Sequence, residues 1–105
     1  MSDEYPRDSE LRMLAKWDFE KRSVHKFLSE IERLWHWPDW GFNLKGKNVL
    51  RLSLHTGGWS GNESIIGAIE KNFIFWATCW QETRVGGHYK FTIKLKLFGT
   101  PKEKP

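Results

Sequence analysis

Two hydrophobic periods within one short chain restrict its fold more than any other feature. Val24, Phe27, Leu28, Ile31, Leu34 and Trp35 fall at offsets 0, 3, 4, 7, 10 and 11, which gathers them on one face of a helix. Leu50, Leu52 and Leu54 instead recur at every second position, as on one face of a strand. A chain carrying both must bury a helix face against a sheet face, so an α+β domain is expected. Lys26, Glu30, Glu32 and Arg33 occupy the far side of that helix, which the pattern sets at about 24–35 behind Ser23 as N-cap.

The flanking segments extend this frame. Ser9 is placed to cap an earlier short helix that turns Leu11, Leu14 and Ala15 inward and closes around Trp17 to Phe19. The stretch WHWPDWGFNLKGK, from Trp35 to Lys47, has neither period and reads as a turn-rich connection around Pro38 and Gly41. After the leucine strand comes GGWSGNE, in which Ser60 and Glu63 form an S-x-x-E capping box for a helix over about 61–71. FIFWATCW follows Asn72 at once and, being apolar on both faces, reads as a doubly covered strand. Tyr89, Phe91, Ile93, Leu95 and Leu97 alternate with His88, Lys90, Thr92, Lys94 and Lys96 in the last strand, and Gly86–Gly87 suits a two-residue type I′ turn. That turn sets Arg84 opposite Tyr89, Trp80 opposite Ile93 and Trp76 opposite Leu97. Trp76 and Trp80 are then core, and Phe75, Ala77 and Cys79 share the lysine face; a three-residue loop would exchange the faces. The expected architecture is two N-terminal helices, then β-α-β-β, with a small mixed three-stranded sheet whose first two strands are parallel across a short crossover helix.

At 105 residues the chain is expected to form a single domain over 1–105, with 1–7 and 99–105 as flexible ends. A lone cysteine cannot form an intramolecular disulfide, and the charged opening MSDEYPRDSE does not resemble a signal peptide; both suit the cytoplasm. The longest apolar run, Phe73 to Trp80, is far too short to span a bilayer, so no membrane partner is expected. A strand apolar on both faces fits a dimer interface as well as a covered sheet, which leaves a homo-oligomer open.

Charge divides along the chain: residues 1–40 hold nine acidic and seven basic side chains, whereas residues 41–105 hold four acidic and ten basic. The GGWSGN loop, at the end of a strand and the start of a helix, has the exposed N–H groups and small residues that suit an anion, although it matches neither the P-loop nor G-x-G-x-x-G. Parallel strands would bring this loop and His55 beside Arg84, His88 and Tyr89 at the hairpin end. The candidate ligand site is therefore His55, Trp59, Ser60, Gly61, Asn62, Arg84, His88 and Tyr89: Ser60, Asn62 and backbone N–H groups for polar oxygens, Arg84 for an anion, Trp59 for stacking, His88 as a donor when protonated. A different use of the chain would dock Trp37, Trp40 and Phe42 on a protein. The lysine stripe, Lys90, Lys94 and Lys96, suits either a nucleic-acid backbone or protection of an edge strand, the latter weighing more. His55–Thr56 is like the HxT/S element of two-histidine phosphoesterases but at the wrong spacing, and the histidines with Cys79 show no metal-ligand spacing. No catalytic residue, metal or cofactor is expected.

LSLHTGGWSGNESIIGAIEKN, then FWATCW, then GGHYKF, together covering about residues 48–93, resemble a pattern recurring in small uncharacterised proteins encoded by bacteriophages and prophages. The resemblance carries no activity and no site residues. It implies a setting, the cytoplasm of an infected bacterium, where small phage proteins often antagonise host defence. The expectation is thus a phage-type binding protein for a phosphate-bearing or nucleotide-like ligand. The alternatives are an inhibitor docking on a host enzyme through the Trp35–Phe42 segment, and a nucleic-acid binder using the basic C-terminal strand.

Overall fold

The computed structural model describes residues 5–98; most of the stretches expected to be flexible, 1–4 and 99–105, lie outside them. Helix α1 (Asp8–Ala15) starts one residue before Ser9, because the Arg7 N–H is taken by Glu10 Oε1 at 2.8 Å. Helix α2 (Val24–Leu34) matches its period: the Ser23 hydroxyl accepts from the Lys26 N–H, and Val24, Phe27, Leu28 and Ile31 are buried. The turn-rich connection contains a single helical turn, α3 (Pro38–Gly41), and then an unexpected strand, β1 (Phe42–Gly46), which turns through Lys47–Asn48 into β2 (Val49–His55). Leu50, Leu52 and Leu54 point inward as their alternation requires.

Helix α4 (Ser60–Lys71) begins a residue earlier than expected, and the capping box does not form: Trp59 is the N-cap, while the Ser60 hydroxyl meets the Tyr5 hydroxyl at 2.6 Å. FIFWATC is not a strand but a second helix, α5 (Phe73–Cys79). The cause is Asn72. Its side-chain oxygen accepts from the Phe75 N–H (3.3 Å), and its amide donates to the carbonyls of Leu14 (2.9 Å) and Trp17 (3.3 Å), so one buried residue both caps α5 and fastens it to the end of α1. Phe75 and Cys79, four apart, turn inward, whereas Phe73 and Ile74 face out.

Strands β3 (Trp80–Arg84) and β4 (His88–Lys94) form the expected hairpin with a different loop. Val85, Gly86 and Gly87 make a three-residue turn, with φ of 97° and 82° at the glycines, so Arg84 faces His88 and Thr83 faces Tyr89. The register therefore shifts by one, which turns Glu82 and Arg84 to the lysine face, while an irregularity between Trp80 and Glu82 returns Trp80 to the side of Phe91. Trp80 lies opposite Phe91 and is 42% exposed, stacking at 5.9 Å on a half-buried Trp76; neither is the core residue expected of it.

The sheet is antiparallel throughout, four strands in the order β1-β2-β4-β3. It is not the mixed three-stranded sheet expected: β4 lies between β2 and β3, antiparallel to each, because its alternation of Phe91 and Ile93 needs burial that only a central place supplies. The coarser expectation holds, an α+β domain with helices packed on one sheet face. An aromatic chain joins the layers, Phe27 to Phe75 at 4.9 Å and Phe75 to Phe91 at 5.6 Å, with Phe19 and Trp17 flanking Phe27.

Candidate functional site

Because Leu50, Leu52 and Leu54 of β2 and Phe91 and Ile93 of β4 serve the core, the opposite face is set by the same alternation. It carries Asn43 and Lys45 of β1, Arg51, Ser53 and His55 of β2, His88, Lys90, Thr92 and Lys94 of β4, and Glu82 and Arg84 of β3, none of them buried. Lys45 sits directly opposite Arg51, and Arg51 opposite Thr92, two residues from both Lys90 and Lys94. Four cationic residues thus have their Cβ atoms within about 5–8 Å of a neighbour's on one sheet face. Among the described residues none of the four is in an ion pair, and the one carboxylate on this face, Glu82, is held by Arg84 Nε, which keeps its carboxyl below the usual range. Like charges opposite one another destabilise a sheet. A bound polyanion would relieve that repulsion.

Lys90 and Lys94 do not protect an edge strand. Lys90 and Lys94 stand on a central strand, and Lys96 leaves the stripe altogether in a 3-10 turn, Leu95–Leu97.

One end of this face is closed by the row His55–His88–Arg84, each opposite the next across β2, β4 and β3. The strand end and the hairpin end do converge, through the intervening β4 rather than through parallel pairing. His55 and His88 share an Nδ1–Nδ1 hydrogen bond, which requires a lone pair on one imidazole and an N–H on the other. Burial first, then the charges of His88 and Lys90, hold His55 below the ordinary imidazole range. The folded chain therefore binds fewer protons here than the unfolded one, so this contribution is whole above about pH 6.5 and is lost as the pH falls through the lower folded value. Melting temperature is expected to fall between about pH 7.5 and pH 5.5 by more in the wild type than in His55→Gln, as differential scanning calorimetry would show.

The other candidate ligand residues separate. Tyr89 points to the core side, between Leu54 and Thr83. Asn62 is fully buried and fully used: it accepts from the His36 N–H (2.8 Å) and donates to the carbonyls of His36 (3.0 Å) and Thr56 (3.2 Å). Gly61 lies beneath the Trp59 ring, where a Cβ would come within 2.3 Å of it. Trp59 is half-buried between Tyr5 at 5.0 Å and His36 at 4.4 Å, and Ser60 is engaged by Tyr5. GGWSGN is thus occupied by the chain's own side chains, while the Thr56 N–H, bonded to the Gly87 carbonyl at 3.0 Å, ties the loop to the hairpin turn.

In the aromatic segment, Trp35 is buried with its Nε1 on the His55 carbonyl, and Phe42 turns inward opposite Leu54. Trp37 and Trp40 stay 51% and 61% exposed. They border a cleft of about 460 Å³ lined by Trp37, Pro38, Asp39, Trp40 and Gly57, and Trp40 reaches His55 at 5.7 Å, at the corner of the basic face.

Sequence reasoning did not single out Arg51 or Lys45. The signal for Arg51 was present, since inward leucines at 50, 52 and 54 oblige it to face out; Lys45 needed the β1 strand to be seen first. Among the described residues no three His, Cys, Asp or Glu side chains converge as metal ligands, and no helix is long and apolar enough to cross a membrane. Cys79 is buried, its thiol pushed up to about 12. Comparison with known proteins finds no matching family model, no matching curated protein and no matching solved structure.

Proposed function

We propose that this chain binds single-stranded nucleic acid across the open face of its sheet. The observation that carries this reading is the register itself: Lys45, Lys90 and Lys94 around Arg51 on a face that none of the described helices covers, with Lys45 directly opposite Arg51. A side chain selected only for solubility would gain from alternating charge signs across the strands. A single strand fits better than a duplex because the surface is an open sheet face, four strands or about 14 Å wide, on which none of the described helices stands out to enter a groove. Exposed indoles at its corner add stacking surface, worth about 1–3 kcal/mol per base. The phosphate-bearing ligand expected from the sequence is kept in this reading, but moves from the GGWSGN loop to the sheet. Under the infected-cell setting that the phage resemblance implies, the polymer would be phage or host nucleic acid.

The test is fluorescence anisotropy with a labelled oligonucleotide of about 12 residues, within the range of site sizes for such surfaces. Four phosphate contacts predict log Kd rising with log salt at a slope of about 3. Each of Arg51→Ser and Lys90→Ser should lower the slope by about 1, and together they should weaken binding at least tenfold at about 50 mM salt. Absence of binding at that salt, or a double variant with unchanged slope and affinity, would rule the reading out.

A further inference from the structure

The cleft at the corner of the sheet is built in a way that core packing does not explain. Trp37 sits in the left-handed region (φ 61°, ψ 55°), which a bulky residue seldom adopts, and the next residues form the single turn α3. Both indoles rest on Gly57: a Cβ there would stand 3.1 Å from Trp37 Cζ3 and 3.2 Å from Trp40 Cζ3. The His36 ring supports Trp37 from behind at 4.1 Å. Two large apolar side chains are thereby fixed in place with half of their surface left in water. Asp39 is the one charged side chain among the described residues that line the cleft.

We propose that this cleft takes a single unpaired base of the bound strand, with guanine preferred. This rests on the reading of the sheet face as a single-strand surface, with which the cleft is continuous through Trp40 and His55. Its volume lies within the range of small-molecule sites, about 300–1,000 Å³, and its indole walls suit the π face of any base. Selectivity comes from Asp39. A carboxylate only accepts hydrogen bonds, so it repels phosphate and selects an edge rich in N–H donors. Guanine presents two adjacent donors, N1–H and N2–H, to the two carboxylate oxygens. Adenine and cytosine set a ring-nitrogen acceptor beside their amino group, and uracil and thymine flank one N–H with two carbonyls. The first geometry alone is bidentate.

The experiment uses the full chain and thymidine 12-mers carrying one central guanine, adenine, cytosine or thymine, read by anisotropy and by quenching of indole fluorescence. The guanine probe should bind about tenfold more tightly than the others and quench most. Asp39→Asn should remove that preference without changing the salt slope, and Trp40→Ala should reduce quenching by every probe. Equal affinity for all four probes, or a guanine preference that survives Asp39→Asn, overturns the inference while leaving the sheet reading standing. If no 12-mer binds, the sheet reading fails by itself; the cleft is then judged by titration with guanosine, where quenching abolished by Trp37→Ala supports it and no quenching overturns it. Quenching by a trimethyl-lysine peptide with none by guanosine also overturns it, since the same indoles and carboxylate would then be a cage for a cation.

Discussion

Phe75→Ala is expected to cost about 3–5 kcal/mol of unfolding free energy, whereas Phe73→Ala, two residues away, stays within about 0.5 kcal/mol of wild type. The contrast follows from α5. Phe75 is fully buried and is the middle member of the ring chain joining α2 to β4, so its removal breaks the contacts at 4.9 Å and 5.6 Å at once and leaves a void between two layers. Phe73 is 79% exposed. Were 73–79 a strand, the two rings would share a face and respond alike. Urea denaturation of both variants measures this, and similar losses for the pair would refute the helix. Because a domain of this size has about 5–15 kcal/mol in total, Phe75→Ala should bring it near the edge of folding at 37 °C.

Asn72→Ala is the second large effect, expected at about 3 kcal/mol, which corresponds to a fall of roughly 10–20 °C in Tm. Its mechanism differs from a cavity. Alanine withdraws one acceptor and two donors, leaving the Phe75 N–H and the carbonyls of Leu14 and Trp17 without their partner. Each buried orphan costs about 1–3 kcal/mol before relaxation. Asn72→Asp gives a discriminating comparison: it retains the acceptor for the Phe75 N–H but sets a carboxylate against two carbonyls, so it should be no better than alanine. Rescue by aspartate would mean that the cap dominates and the link to α1 contributes little.

The difficulty of α5 in sequence has a definite cause. Six of the seven residues from Phe73 to Cys79 are apolar, so neither period stands out, and a segment of two turns is too short to separate them. Aromatic and β-branched content then tips expectation toward a strand. The cue lay in Asn72, which ends one helix and caps the next; read only as a stop, it hides the second helix. In α2 the period runs for three turns with charge on the far side, and that helix was legible almost to the residue. Strand β1 was invisible for the opposite reason, since only Phe42 of its five residues is better than exposed and Leu44 is still 38% accessible.

The site was partly legible. Convergence of His55, His88 and Arg84 survived a wrong topology because β2 and β3 do run in the same direction, with β4 between them. The roles assigned to Asn62, Trp59 and Gly61 were exchanged for internal ones because a loop of small and polar residues looks the same in sequence whether its donors meet a ligand or a neighbouring carbonyl. Only the backbone of His36, distant by 26 positions from Asn62, decides between them.

The central place of β4 also bears on how the margins of the sheet are built. With Lys90 and Lys94 inside the sheet, its two borders must resist strand addition by other means. On the β3 side the ladder is interrupted between Trp80 and Glu82, which bends the outer row of N–H and C=O groups away from a straight template, and Glu82 and Arg84 place opposite charges beside it. On the β1 side the border is only five residues long and ends at Gly46, whose φ of 113° turns the chain out of strand geometry. Irregular, short margins of this kind disfavour strand addition, a part that Lys90 and Lys94 on the interior strand cannot play.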